Sequence, residues 1–303
     1  MRADINTIAN TCGVSKATVS RVFTGKAKVS SKVKEKILAA ARELNYRPEK
    51  VISQENITIV VDHLISFNAN NGFYPMILSA LIAEITRNNY AIKVIEFEDF
   101  DMMLKSFTRA AVLLFRGGIP TEIMDKIESS PIPLICTNEI LPNCHSVCSD
   151  HAQEVSIAFD HLYENGHRRI SLVLDTEESW TSNERRRGYI EAARRHNIEI
   201  MPEHIISDQY PLFEVMPLVL KDNPTGIIIC GEGIAPQVNY YLGLMKIDVP
   251  NDISVITSEN NGYSRWFNPP HTTMDQDIPG IATKLIEIAN NMNFTNYAGP
   301  APR

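Results

Sequence analysis

Residues 13–48 read GVSKATVSRVFTGKAKVSSKVKEKILAAARELNYRP, and this stretch decides how the whole chain is interpreted. Together with the residues before it, the stretch divides into three short helices, because each has recognisable start and stop signals. Asp4 and Gly13 delimit the first helix. Ser15 begins the second and Ser30 the third, in which apolar residues recur at the helical period. The first two helices, joined by a short turn with one glycine, have the dimensions of a helix-turn-helix.

Charge is unevenly distributed along the chain. Its 303 residues carry 29 Lys and Arg against 36 Asp and Glu, a formal net charge of −7 that by itself argues against a nucleic-acid partner. Residues 1–50 nevertheless contain eleven Lys and Arg against four Asp and Glu, so a head of charge +7 precedes a body of charge −14. This asymmetry is typical of a polyanion-binding head on a self-repelling body, although a solvated lysine-rich helix face gives the same charge.

The quoted stretch resembles the DNA-binding head of LacI-family transcriptional regulators, whose signature is close to D-x-A-x-x-A-G-V-S-x-x-T-V-S-R-x-L-N. The departures are small: Phe23 and Thr24 stand where Leu-Asn is common. The resemblance implies an all-α helix-turn-helix DNA-binding domain over residues 1–48. It also implies a double-stranded operator as the partner, read in near-palindromic halves by a homodimer.

The second helix supplies six candidate DNA-binding residues, which are Ser15, Lys16, Ala17, Thr18, Ser20 and Arg21. In this kind of head the N-terminal part of the recognition helix meets base edges, which by position selects Lys16, Ala17 and Arg21. Arg21 can form a bidentate pair with guanine, and Lys16 can donate to guanine acceptors. The three hydroxyl-bearing residues are expected to hold phosphates, and Ser15 has a second role as a helix cap.

The linker after the head is short. The resemblance implies a hinge with an A-R-x-L core, which wedges an apolar side chain into the minor groove. Here only EKVISQEN, residues 49–56, precedes the apolar run ITIVV, and no A-R-x-L is present. We therefore expect a shortened hinge at residues 49–56 and a weaker dependence of operator binding on a flexible central step.

The body of the chain alternates apolar runs with helical patterns, which predicts parallel sheets in a doubly wound α/β arrangement. Residues 57–303 are too many for one such sheet, and the pattern restarts near RISLVL at residues 169–174. The resemblance implies a two-lobed, periplasmic-binding-protein-like core with a small-molecule effector in the cleft between its lobes. The expected bounds are about 57–151 and 275–292 for lobe 1, and about 152–274 for lobe 2.

Six residues are candidate effector contacts, namely Phe73, Tyr74, Trp180, Arg185, Tyr210 and Glu259. The resemblance assigns Arg185 to the arginine of an S-x-x-R-x-x-G-Y element, whose planar fork suits hydroxyls, carboxylates or phosphates. Glu259 takes the place of a ligand-binding Asp. For the aromatic residues, core packing is an equally open alternative. The expected effector is carbohydrate-like, a sugar, sugar phosphate or nucleoside, and a regulator that has lost its effector is an alternative.

Other functional classes have weaker support in the sequence. A metal enzyme is suggested by Cys144, His145, Cys148 and His151, but structural zinc sites pair two such ligands with two more at a distance, and no second cluster exists. No Gly-rich phosphate loop, nucleophile elbow or paired-carboxylate motif is present. We therefore expect that the protein is not an enzyme and that it binds no metal and no cofactor.

The compartment and the assembly are also predicted. MRADINTIAN lacks the apolar core of a secretory signal, and no apolar run is long enough for a membrane span, so we expect a cytoplasmic protein with no membrane partner. A stand-alone cytoplasmic sugar-binding protein is the alternative to a homodimeric repressor. The helix after Phe73 carries an apolar stripe formed by Ile77, Leu78, Leu81, Ile82 and Ile85. We expect one part of this stripe to pack on the sheet of its own lobe and another part to form a dimer surface.

Overall fold

The computed structural model describes residues 4–24, 29–44, 46, 56–62, 72–104, 108–115, 121–175, 179–206, 209–231 and 233–292. The predicted hinge at 49–56 lies outside these residues apart from Asn56. The chain divides into two units. The first unit comprises Met1–Ser66, Ile77–Val147 and Pro279–Arg303, and the second comprises Phe67–Met76 and Cys148–Ile278.

After the head, strands and helices mostly alternate, as the sequence predicts, although β4 is followed directly by β5. The described helices are α1 (Ile5–Cys12), α2 (Lys16–Thr24), α3 (Ser31–Glu43), α4 (Phe73–Arg87), α5 (Phe100–Leu104), α6 (Thr121–Glu128), α7 (His151–Glu164), α8 (Trp180–Arg195), α9 (Leu212–Lys221), α10 (Ala235–Leu244) and α11 (Ile278–Asn291). The described strands are β1 (Asn56–Val61), β2 (Ala91–Glu96), β3 (Thr108–Leu114), β4 (Leu134–Thr137), β5 (Cys144–Val147), β6 (Ile170–Leu174), β7 (His204–Ile205), β8 (Gly226–Cys230), β9 (Ser254–Ser258) and β10 (Thr272–Met274). Short 3₁₀ turns lie at Phe97–Asp99 and Tyr263–Trp266.

The head is a three-helix unit whose caps are visible in the sequence. The carboxylate of Asp4 accepts the backbone N–H of Thr7 at 2.8 Å. This bond and further hydrogen bonds from Asn6 and Thr7 lower the pKa of Asp4 to about 2. Gly13 ends α1 at φ 63°, in the left-handed region that favours glycine. The buried core that joins α1, α2 and α3 consists of Ile8, Ala9, Cys12, Val19, Phe23, Ile37, Leu38, Ala40, Ala41 and Tyr46.

A parallel sheet organises the rest of the first unit, with strand order β2-β1-β3-β4-β5. Ile77, Leu81 and Ile85 of α4 are fully buried, whereas Ile82 on the same helix is 42% exposed. Most of the apolar stripe of α4 is therefore buried, and Ile82 leaves part of it at the surface. Arg109 of β3 satisfies the carboxyl end of α11, because its Nε donates to the carbonyl of Ala289 at 2.9 Å.

The second unit is a second parallel sheet, with strand order β10-β9-β8-β6-β7 and helices on both faces. Side chains alternate along β8: Ile228 packs with α7 and α8, while Ile227 and Ile229 pack with α9 and α10. Two helix-covered parallel sheets and a helix-turn-helix head confirm the predicted fold class.

Two further global properties can be read from the structure. All five cysteines, Cys12, Cys136, Cys144, Cys148 and Cys230, lie in the described part, and none forms a disulfide. Within the described ranges, no helix combines the length and the apolarity needed to cross a membrane.

Candidate functional site

Helix α2 presents one polar face because its other face is anchored in the core of the head. Val19 and Phe23, four residues apart, are buried against α1 and α3. Ser15 caps the helix: its Oγ accepts the backbone N–H of Thr18 at 3.1 Å and shares a hydrogen bond with the Thr18 hydroxyl at 2.9 Å. The capping role expected for Ser15 is therefore present in the structure.

The exposed face of α2 carries the residues that the sequence marks for base contact. Lys16, Ala17 and Arg21 are exposed, and Thr18 and Ser20 are half-buried. Ala17 and Arg21 are four residues apart and so share one side of the helix. Within the described part of the chain, no hydrogen bond or ion pair engages the side chain of Lys16 or Arg21. Their charged groups are thus available to a polyanion.

A second polar cluster lies at the carboxyl edge of the sheet in the second unit. Strands β6, β8 and β9 end there, at Leu174, Cys230 and Ser258. Helices α7 and α8 begin at the same edge, each with a capped first turn. Asp150 accepts the backbone N–H of Gln153 at 2.8 Å, and Ser179 accepts that of Ser182 at 3.0 Å. In parallel α/β sheets this edge is where ligands bind.

Close packing of α7 against α8 brings distant residues together in this cluster. A side chain at Gly188 would place its Cβ 2.2 Å from the backbone oxygen of Ala152, so only glycine permits this approach. Arg185 lies three residues before Gly188, and Glu154 lies two residues after Ala152. The contact between the two backbones therefore places the Arg185 and Glu154 side chains beside each other.

Arg185, the predicted effector-binding arginine, has Glu154 as its counter-ion. Its Nε lies 3.5 Å from Oε2 of Glu154, and its Nη2 donates to the hydroxyl of Ser258 at 3.4 Å. The same carboxylate is held by two more groups. His151 Nδ1 lies 2.8 Å from Oε2, and the Ser258 hydroxyl donates to Oε1. Residues of α7, α8 and β9 thus form one hydrogen-bonded network.

The electrostatics of this cluster favour the charged forms of Glu154 and Arg185. Burial raises the pKa of Glu154, but the charge of Arg185 and the hydrogen bonds from His151 and Ser258 outweigh it and lower that pKa to about 2. Burial lowers the pKa of Arg185, yet the charges of Glu154 and Asp175 leave it above its usual value. Burial raises the pKa of the Cys230 thiol, so this neighbour is uncharged.

The four aromatic candidates occupy different surroundings. Phe73 is buried and Tyr74 half-buried, and their rings meet edge to face at 5.3 Å. Trp180 is half-buried and meets the ring of His151 at 5.9 Å, which places its indole beside the Arg185 network. Tyr210 precedes α9 and is 40% exposed.

Glu259 lies inside the second unit rather than on its surface. It is 2% exposed, and its Oε2 accepts hydrogen bonds from the backbone N–H of Ser264, at 2.8 Å, and from the Ser264 hydroxyl. Gly262, at φ 72°, reverses the chain between the two residues. The other oxygen, Oε1, forms no hydrogen bond with any residue that the structure describes. One oxygen of the predicted ligand-binding carboxylate is therefore engaged internally.

The metal alternative gains no geometric support. Cys144 is buried in β5, where its Sγ donates to the carbonyl of His145 at 3.5 Å. His151 is buried and bonded to Glu154. Nowhere in the described ranges do three His, Cys, Asp or Glu side chains converge as metal ligands.

Sequence analysis missed Glu154 and Ser258, which complete the Arg185 network. Ser258 ends β9 directly before the candidate residue Glu259, and this position is its signal in the sequence. Glu154 has a weaker signal, a carboxylate in the first turn of α7. That turn also carries the helix dipole, which favours a negative charge.

The head, the two parallel sheets and the polar cluster define a helix-turn-helix regulator with a periplasmic-binding-protein-like core. Residues 4–49 match the sequence profile of bacterial regulatory proteins of the lacI family, and residues 159–301 match that of the periplasmic binding protein-like domain. The chain therefore combines a lacI-type helix-turn-helix domain with a periplasmic-binding-protein-like domain. The resemblance seen in the sequence is confirmed.

Individual relatives extend over most of the chain. The HTH-type transcriptional repressor CytR of Escherichia coli K12 is 26% identical over 294 residues, which cover 90% of this chain and 85% of the relative. The fold is similar to that of a transcriptional regulator CelR–cellobiose complex, with a TM-score of 0.71 and 18% identity over 100% of this chain and 96% of the other. It is also similar to a lac repressor dimer bound to operator and the anti-inducer ONPF, with a TM-score of 0.68 and 18% identity over 99% of this chain and 95% of the other. Relatives of this kind are regulators, in agreement with the prediction that the chain is not an enzyme.

Proposed function

We propose that this protein is a cytoplasmic transcriptional repressor that binds a near-palindromic operator as a homodimer. The observation that carries the proposal is the exposed face of α2. Lys16 and Arg21 project from a helix whose opposite side is fixed in the core, and within the described residues neither has an ion-pair partner. Such an arrangement suits bidentate contact with guanine and attraction to phosphate.

The proposed homodimer has support in the second unit. Helix α10 and the 3₁₀ turn after β9 expose large apolar side chains to solvent: Tyr240 is 59% exposed, Leu244 53%, Tyr263 46% and Trp266 81%. Exposed aromatic residues of this kind are enriched at protein interfaces. A lac repressor with the same fold is a dimer on its operator, and we extend that assembly to this chain. Two heads then read two half-sites about one helical turn or a multiple of it apart.

Small-molecule control is the second part of the proposal. The carboxyl edge of the second unit supplies Arg185 as a donor and Trp180 as a flat surface beside it. A carbohydrate-like compound has hydroxyls that can accept hydrogen bonds from Arg185 and a ring face that can stack on Trp180. Phe73, Tyr74, Tyr210 and Glu259 remain candidate contacts. A CelR protein of the same fold forms a complex with cellobiose, which fits this class of effector.

Binding-site selection from random duplexes tests the DNA-binding part. The full chain is expected to enrich a sequence with two-fold symmetry, and its affinity is expected to fall steeply as salt rises. Sedimentation of the chain, free and on the selected duplex, measures the subunit number. Enrichment of no sequence, or one chain per duplex, contradicts the proposal. Retention of neutral sugars without any DNA binding would favour the stand-alone sugar-binding alternative.

A further inference from the structure

The guanidinium of Arg185 already has a carboxylate beside it. Glu154 Oε2 lies 3.5 Å from Arg185 Nε, and the side chains are 11% and 10% exposed, respectively. We infer that Glu154 is a built-in counter-ion that excludes anionic effectors and restricts the site to uncharged carbohydrate-like compounds. This inference rests on the proposed small-molecule control. Of the effector classes considered, it retains free sugars and nucleosides and removes sugar phosphates.

Two partners hold Glu154 against Arg185. The Ser258 hydroxyl occupies Oε1, and His151 occupies Oε2 from 2.8 Å, next to Arg185 itself. An anionic ligand that took Arg185 would have to displace this carboxylate. Displacement would leave Glu154 buried with fewer donors, and leaving a buried charge without partners is costly. The network therefore competes with any ligand carboxylate or phosphate.

The charge balance acts in the same direction. The charges of Glu154 and Asp175 both act on Arg185, so two negative charges already balance one guanidinium. A bound anion would add a third negative charge in a place where water screens little. An uncharged hydroxyl adds none. It can accept a hydrogen bond from a guanidinium and donate one to a carboxylate, so it suits the existing pair.

The test removes the charge of Glu154 and leaves its shape. In Glu154→Gln an amide replaces the carboxylate, and Arg185 loses its nearest counter-ion. The full chain is titrated with inorganic phosphate, D-glucuronate and D-glucose, with ionic strength balanced by chloride. Calorimetry and thermal unfolding report binding, since a ligand that binds the folded state raises its stability. We expect Glu154→Gln to bind phosphate and glucuronate at least tenfold more tightly than the wild type does.

Two further variants locate the effect. Glu191→Gln also removes a carboxylate from an arginine of α8, because Glu191 lies 3.2 Å from Arg187, but that pair is on the exposed face. It is expected to bind anions no better than the wild type, and it corrects for the general stabilising effect of phosphate. The double variant Glu154→Gln with Arg185→Gln is expected to lose the gain. The inference is overturned if the wild type and Glu154→Gln bind the anions equally tightly, or if neither of them binds the anions.

The wild-type chain gives a second test that does not depend on the folding of a variant. It is exposed to paired compounds that share a pyranose ring and differ in an anionic group, glucose with glucose 6-phosphate and glucose with glucuronate. Rejection of the anionic members supports the inference, and tighter binding of an anionic member than of its neutral counterpart overturns it. Operator binding is measured separately without effector. If the wild type bound no DNA, the proposed repressor function would be contradicted. The inference about charge selectivity would still be decided by these titrations.

Discussion

The head and the second unit each present an arginine that the sequence marks for ligand binding, and the two differ in their surroundings. Arg21 is exposed on α2, and no residue of the described part forms an ion pair with it. Arg185 is 8% exposed and is engaged by Glu154 and Ser258. Arg21 therefore gains a partner only from outside the described residues. A buried cation has received one already, because an unpaired buried charge is unstable.

This difference separates two kinds of site. The energy of DNA binding by the head comes from charges that folding leaves in water, so removing one should change binding and leave stability almost unaltered. The network in the second unit takes part in folding itself, so its residues should affect stability first. Substitutions at four positions, Arg185, Gly188, Arg21 and Ser15, test this contrast together with control variants.

Arg185→Met should have the largest effect on stability. It leaves the carboxylate of Glu154 buried without its guanidinium, and breaking such a pair costs roughly 3–5 kcal/mol of the free energy of unfolding. Adding Glu154→Leu should restore most of the loss, because an apolar pair leaves no unpaired charge. Urea denaturation measures both variants.

The surface pair of Arg187 with Glu184 and Glu191 provides the matched control for Arg185. Exposed ion pairs contribute roughly 0–1 kcal/mol, so Arg187→Met should be nearly neutral. If Arg185→Met were as mild as Arg187→Met, the buried network would contribute little to folding, and the contrast with the head would fail.

Gly188→Ala should destabilise the second unit by roughly 1–3 kcal/mol through overpacking. The new Cβ would lie 2.2 Å from the Ala152 oxygen, so α7 and α8 must separate. Gly243 of α10 is the control, because a Cβ there meets nothing within 4 Å. Gly243→Ala should be neutral or stabilising, by up to about 1 kcal/mol. Equal stability of the two variants in urea would show that the close approach of α7 to α8 is not required.

The two regions also differ in how far the sequence predicts them. The head is specified by local signals: Asp4 and Ser15 cap their helices, Gly13 ends the first, and apolar spacing selects the buried faces. Each signal acts within a few residues. The parallel sheets follow for a similar reason, because alternating strands and helices admit few arrangements.

The Arg185 network could not be predicted in the same way. Glu154 and Arg185 are far apart in sequence, and they meet only because Gly188 lets two backbones touch. Likewise, the turn at Gly262 returns Ser264 to Glu259, so a carboxylate predicted to bind ligand also bonds its own chain. Local patterns identify the type of a side chain at a site, whereas its partners depend on tertiary packing.

Arg21→Ala should change specificity without changing stability. The variant is expected to lose roughly 1–3 kcal/mol of discrimination at one base pair of the selected operator, because a bidentate contact with guanine is gone. Binding to duplexes substituted at each position measures the loss. Lys34→Ala, at another exposed cation of the head, should leave base preference unchanged. Unaltered specificity in Arg21→Ala would mean that α2 is not docked as proposed.

Ser15 has the smallest expected effects and tests whether one residue serves both folding and binding. Its hydroxyl caps α2, so Ser15→Ala should cost about 1 kcal/mol of stability. Asn and Asp also cap helices well, so Ser15→Asn and Ser15→Asp should retain the stability of the head. They differ in charge: beside a phosphate, Asp should weaken binding to every duplex, whereas Asn should not. Thermal unfolding and DNA titration at fixed salt separate the two roles. Full affinity in Ser15→Asp would show that the hydroxyl lies away from the phosphates and acts only as a cap, like the internally paired groups of the second unit.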